Sequence, residues 1–128
     1  MRVAAYCRKS TEDERIDDNK SVERQKIRCR EFAASKGWII EDADIYVDDG
    51  ISGAEFTKRD GLNLLWVNLK NYNVIITADL DRLGRDALMN SWLLDKIIND
   101  YSIDVWYYQS GLREKMDTPE ARMMFSLR

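Results

Sequence analysis

Histidine is absent from the chain, and that absence removes more chemistry than any other feature of the composition. It excludes Ser-His-Asp catalysis and most zinc sites, so a general base must be a carboxylate, a lysine or water. Cysteine occurs only as Cys7 and Cys29. Their spacing does not suit a metal site and a disulfide is not expected in a cytosolic chain, so both are read as core residues. No apolar run approaches membrane-spanning length, and Met1-Arg2-Val3 runs directly into a strand, leaving no room for a signal peptide. A cytoplasmic location is the expectation. An excess of positive charge is lacking too. With 20 Lys and Arg against 23 Asp and Glu, the net charge is −3. That argues against binding nucleic acid over the whole surface, but not against a local basic site in an acidic domain. There is one proline, and no repeat, low-complexity stretch or linker divides the sequence.

What is present suits one globular domain. At 128 residues, 45% hydrophobic and 34% charged, the chain is long enough to bury a real core and too apolar to be disordered. It is organised around Val3–Thr11, Val-Ala-Ala-Tyr-Cys-Arg-Lys-Ser-Thr. A short apolar strand there stops at Arg8, Lys9, Ser10 and Thr11, and the charged run Glu12–Lys20 that follows reads as a solvated loop. In a sheet buried on both faces, ligands sit at the carboxyl ends of strands. Arg8 and Ser10 are two residues apart, so continued extended geometry turns both to one side. That pairs a guanidinium with a hydroxyl, as a serine nucleophile acting on phosphate needs. An ordinary polar turn leaving the core gives the same local pattern.

Ser21 offers a helix N-cap, and Val22–Lys36 reads as a helix stopped by Gly37. Val22, Cys29, Phe32 and Ala33 share one face. Gln25 falls on the same face, either as a polar residue at the rim of the core or pointing at the strand end that carries Ser10. Trp38-Ile39-Ile40 and Ile45-Tyr46-Val47 give one interrupted strand or two short ones. Asp48–Lys58 is a loop marked by Gly50, Ser52 and Gly53, and Arg59 ends it. A helix follows from about Asp60 to Lys70, with Leu62, Leu65, Trp66 and Leu69 as its stripe. Val74–Thr77 is the clearest buried strand. A helix over about Ala87–Asn99 follows, with Leu88, Trp92, Ile97, Ile98 and Tyr101 turned inward. Ile103–Tyr108 is the last strand, Gln109–Asp117 a loop, and Thr118-Pro119-Glu120 the start of a final helix. Strands alternating with helices predict an α/β fold with a mostly parallel central sheet flanked by helices.

Beyond Val74–Thr77 come Asp81, Arg82 and Arg85, with Gly84 permitting close backbone approach. Two arginines three apart beside a carboxylate make a compact site for phosphate oxygens, and equally a surface salt-bridge cluster.

The two strand ends together resemble the serine recombinases, the resolvase/invertase family. Tyr6-Cys7-Arg8-Lys9-Ser10-Thr11 followed by Leu80-Asp81-Arg82-Leu83-Gly84-Arg85 carries the resemblance. Ser21-Val22-Glu23-Arg24-Gln25 is similar to that family's first-helix motif, and Gly50-Ile51-Ser52-Gly53 with Arg59-Asp60-Gly61 to its second loop. The order is kept across essentially the whole chain. The resemblance implies a resolvase-like catalytic domain over residues 1–128 that performs site-specific DNA strand exchange. Ser10 would be the nucleophile, giving a phosphoserine link to DNA and a free 3′ hydroxyl. Arg8, Arg82 and Arg85 would hold the scissile phosphate, Arg59 and Gln25 carry over as active-site residues, and Asp81 as a site carboxylate. No metal and no other cofactor is implied. The partners implied are double-stranded DNA at specific recombination sites and, in the full-length protein, further copies of itself as dimer and tetramer, with no membrane.

Some features depart from the small resolvases. Asn68 and Asn73 replace a lysine and an aspartate. The loop between Ser10 and Gln25 is longer, and the Ser-Val-Glu-Arg-Gln wording is closer to the large serine recombinases of phage integrases and mobile elements. The family's interface helix is expected to be cut short near residues 119–128, with no DNA-binding domain and hence no activity in this fragment alone. Met123, Met124, Phe125 and Leu127 give that last helix a wide apolar surface. A different enzyme class would use Asp79 and Asp81 as paired carboxylates of a metal-dependent nuclease or topoisomerase-type domain, with magnesium doing the work.

Overall fold

Val3–Lys9 forms the strand β1, with every residue from Val3 to Cys7 almost completely buried. A strand enclosed on both faces belongs in the middle of a sheet, and β1 lies there. The computed structural model describes residues 1–9, 21–49, 60–79 and 87–114, with side chains from residue 90 in the last stretch. After β1 come α1 (Val22–Ser35), β2 (Ile45–Asp49), α2 (Asp60–Val67), β3 (Val74–Thr77), α3 (Ala87–Asp95), β4 (Asp104–Tyr107) and β5 (Leu112–Arg113). The sheet order is β2-β1-β3-β4-β5, parallel except for β5, which runs antiparallel to β4. The fold is the mostly parallel α/β architecture expected from the sequence.

Alternation along β1 splits the core into two layers. Val3, Ala5 and Cys7 face α1, where they meet Val22, Cys29 and Ala33. Ala4 and Tyr6 face α2 and α3, where Leu62, Leu65, Leu93, Leu94 and Ile97 close the second layer. Both cysteines are free and buried, as their composition predicted. Contact with Cys7, then burial, pushes the Cys29 thiol upward in pKa. The predicted caps of α1 are present. Ser21 accepts from the Arg24 amide at 3.1 Å, and Gly37 adopts a φ of +79° just past the helix. That left-handed backbone suits glycine.

Three expectations are corrected. Trp38-Ile39-Ile40 is not a strand: Ile39 is 77% exposed, and a 3₁₀ turn at Asp42–Asp44 leads into β2. α3 ends at Asp95 and passes into a wide π-helical turn over Lys96–Asp100. Asn90, Leu93 and Leu94 form the buried face of α3, and the Leu88 side chain lies outside the described residues. Of the other residues expected to turn inward, Ile97 is buried and Ile98 packs against the core, but Trp92 and Tyr101 stand about half exposed. Trp92 instead stacks on Trp66 of α2, ring centres 5.4 Å apart. Third, Gln109–Asp117 is not all loop, because Leu112–Arg113 adds the short antiparallel edge strand β5. The final helix expected from Thr118 onward lies outside the described residues. No helix among the described residues is long and apolar enough to cross a membrane.

α2 is seated by a glycine. A Cβ on Gly61 would stand 2.4 Å from the Val47 carbonyl oxygen and 2.7 Å from its carbon. Both obstructing atoms are strand backbone, so only the helix can yield. Gly61→Ala is therefore expected to cost about 1–3 kcal/mol of stability. A chemical denaturation curve checks this, and an unchanged midpoint would show that α2 is not so tightly seated.

Candidate active site

Strand order and helix placement select one edge of the sheet. From β1 the chain moves out to β2 through α1 on one face, then crosses back on the other face through α2 to β3. Connections leave β1 and β3 in opposite directions, so a crevice opens between their carboxyl ends. The described chain reaches this edge at Lys9 after β1, at Asp49 after β2, at Asp60 where α2 begins, and at Asp79 after β3.

Arg8 and Gln25 are brought together there. The Gln25 side-chain amide accepts a hydrogen bond from the Arg8 N–H at 3.1 Å and donates one to the Arg8 carbonyl at 2.9 Å. Both residues are 1% exposed. Of the two placements open to Gln25, it takes the one aimed at the strand end. It pairs with two buried main-chain groups of the strand end. The Arg8 side chain is enclosed in this structure rather than presented to solvent. Ser10, Arg59, Asp81, Arg82 and Arg85 lie outside the described residues. In sequence, Ser10 follows Lys9, Arg59 precedes Asp60, and the Leu80–Arg85 motif begins directly after Asp79.

Asp48, which sequence reasoning assigned to a loop, is a central member of this edge. Its carboxylate is 4% exposed and accepts three hydrogen bonds. Oδ1 takes the Gly61 amide at 2.7 Å, and Oδ2 takes the Leu62 amide at 2.9 Å and the Tyr6 hydroxyl at 2.7 Å. Those amides are unpaired donors of the first helical turn, where a negative charge also meets the positive end of the helix dipole. Asp48 thus ties β1, β2 and the start of α2 into one unit. The adjacent acidic pair Asp48-Asp49 at a strand end was its one sequence signal.

The opposite edge carries polar groups of a different kind. Asp44 accepts from Arg2 at 2.7 Å and from the Tyr72 hydroxyl at 2.8 Å, and Tyr72 meets Tyr46 at 2.6 Å. Burial, then the bonds to Tyr46 and Asp44, pushes the Tyr72 hydroxyl upward in pKa. Asn73 also sits at that edge, accepting from the Arg2 amide at 2.9 Å. Asn68, just beyond α2, bonds back to the Leu64 carbonyl at 2.9 Å. Of the carboxylates in the metal-dependent alternative, Asp79 stands at the end of β3, and Asp81 is outside the described residues. No group of three His, Cys, Asp or Glu side chains among the described residues could together hold a metal ion.

Comparison with known proteins extends across the same span. The family model described as "Resolvase, N terminal domain" matches residues 3–128. Among curated proteins, the Transposon Tn2501 resolvase of Escherichia coli is 32% identical over 87 residues, covering 68% of this chain and 40% of the relative. The chain therefore spans well under half the length of that relative. Among solved structures, the N-terminal catalytic domain of TP901-1 integrase superposes with a TM-score of 0.76 at 23% identity, covering 99% of this chain and 90% of that one. A resolvase family site-specific recombinase from Streptococcus pneumoniae gives a TM-score of 0.74 at 23% identity, covering 99% and 84%. At such identities these two likenesses speak for the fold.

Proposed function

Given that this chain belongs to the resolvase family of serine recombinases, we propose that it is the catalytic domain of a site-specific DNA recombinase with Ser10 as nucleophile. The observation that carries the reading is the switch-point edge, where Arg8 closes β1 with both main-chain groups held by Gln25. The strand end that leads into Ser10 is thereby fixed before substrate arrives, which is what a positioned nucleophile needs.

In the proposed reaction the Ser10 oxygen attacks the phosphorus of a backbone phosphodiester. The bond from phosphorus to the 3′ oxygen breaks. The hydroxyl proton is lost to a base or water, and the departing 3′ oxygen gains a proton. A phosphoserine ester to one DNA end and a free 3′ hydroxyl on the other result. Rejoining runs the same step backwards with a different 3′ hydroxyl, so the ester conserves the bond energy. Phosphoryl transfer asks the protein chiefly for placement and positive charge. Arg82 and Arg85 supply that charge at the phosphate. Arg8 joins them once DNA opens the edge that now encloses it. Arg59 completes the cationic set from the residue before α2, and Asp81 is its carboxylate. Gln25 acts through the main chain of Arg8. The partners in this reading are double-stranded DNA at specific recombination sites and further copies of the chain, as dimer and tetramer, in the cytoplasm.

Chelation separates this chemistry from the carboxylate–metal alternative. The full-length protein that carries this domain, incubated with plasmid bearing its recombination sites, is expected to form equal amounts of covalent protein–DNA adduct with and without excess EDTA. Loss of cleavage in EDTA would favour metal-dependent hydrolysis through Asp79 and Asp81.

A further inference from the structure

β1 changes neighbours part-way along its length. It pairs with β3 from Val3↔Val74 to Ala5↔Ile76, and with β2 from Ala5↔Ile45 to Lys9↔Asp49. Past Ala5 the ladder to β3 stops, although β3 stays with β4: Tyr108 and Gln109 amides donate to the Thr77 and Ala78 carbonyls at 3.0 and 3.2 Å. The strands part at the point where the crevice opens. Two side chains bond the main chain of β1 where that ladder is missing. One is Gln25, which reaches Arg8 from α1. The other is Thr77, the last residue of β3, whose Oγ1 donates to the Tyr6 carbonyl at 2.8 Å.

We infer that Thr77 is a positioning residue for DNA cleavage, setting how far the carboxyl end of β1 stands from that of β3. The inference rests on the reading of Arg8 and Ser10 as reacting-site residues. Thr77 is fully buried in a strand whose other residues, Val74, Ile75 and Ile76, are all apolar and β-branched. Valine has nearly the same shape and the same strand preference. A buried hydroxyl carries a desolvation cost that valine would avoid, so its use here lies in the bond it makes. That bond is placed to matter. Tyr6 is held at its carbonyl by β3 and at its hydroxyl by Asp48, which also holds the first turn of α2. Arg8 follows two residues later on the same side of the strand. Removing the Thr77 hydroxyl frees the side-chain link from β3 to the Tyr6 carbonyl and lets the strand end drift relative to β3. A misplacement of about 1 Å is enough to cost about a hundredfold in rate.

The test compares Thr77→Val with Thr77→Ser in the full-length protein that carries this domain, by single-turnover formation of covalent adduct at saturating DNA. Valine removes the hydroxyl and serine a buried methyl, so both should lower the melting temperature. Only valine loses the bond. Thr77→Val is expected to cleave about a hundredfold more slowly with unchanged DNA affinity, and Thr77→Ser within about threefold of the unaltered chain. If Thr77→Val does not fold, Thr77→Ala against Thr77→Ser makes the same comparison. A valine or alanine variant that cleaves at the normal rate overturns the inference. So does a serine variant as slow as valine, with rates following melting temperatures. If the unaltered full-length protein forms no adduct at all, the recombinase reading fails and the inference falls with it. Normal adduct with no effect of the hydroxyl overturns the positioning role alone.

Discussion

In the full-length protein, Ser10→Ala is expected to form no detectable covalent adduct with DNA while melting and binding DNA as the unaltered protein is expected to. This is the largest effect the proposed chemistry predicts, because it removes the atom that forms the ester. A serine hydroxyl is a weak nucleophile unless something activates and aims it. Here the aiming starts before residue 10: Lys9 ends a strand registered on Asp49, and Arg8 is held at both main-chain groups by Gln25. With no histidine anywhere in the sequence, no residue, Ser10 included, has a general base of the Ser-His type, so the weight falls on placement and positive charge. Gel electrophoresis under denaturing conditions reads the adduct directly. A denaturation-resistant adduct formed by the alanine variant would assign the ester to another residue.

Replacing Arg82 or Arg85 by lysine is expected to slow cleavage about a hundredfold. The cause is geometry more than charge. A guanidinium presents parallel donors that fit two phosphate oxygens at once, whereas an ammonium is a point charge that cannot reproduce the fork. Contacts to phosphate carry no base information, so the loss should be the same on different core sequences. Rates on substrates with altered core sequences check this. Lysine variants of normal rate, or with a changed site preference, would assign these arginines to other work.

Much of the fold was legible because its signals are local. The apolar run before Arg8, the Ser21 cap and the Gly37 stop each act within a few residues, and each stands where the sequence put it. β5 was not legible. Leu112–Arg113 is two exposed residues long, and only pairing with Trp106 and Tyr107 makes it a strand. Ile97 and Ile98 turn inward as expected, but Trp92 and Tyr101 were misjudged because they are large and apolar yet spend that surface on the outside, Trp92 against Trp66.

The site divides along the same line. Motif residues such as Arg8 and Gln25 could be picked out by spacing, but whether Gln25 served the core or the strand end depended on which main-chain groups lay opposite. Asp48, Thr77 and Gly61 are single residues inside or beside elements, and their roles exist only across strands. Asp48 matters because β2 places it beside Tyr6 and the first turn of α2. Thr77 matters because β3 leaves β1 one residue earlier.

The central claim is that a serine, and this serine, carries the DNA. Adduct formed by the full-length protein can be digested with nuclease and protease and its peptides sequenced by mass spectrometry. The prediction is a nucleotide remnant joined through phosphate to Ser10, on the peptide that begins after Lys9. A remnant on a tyrosine, or cleaved DNA with no protein attached, would contradict it.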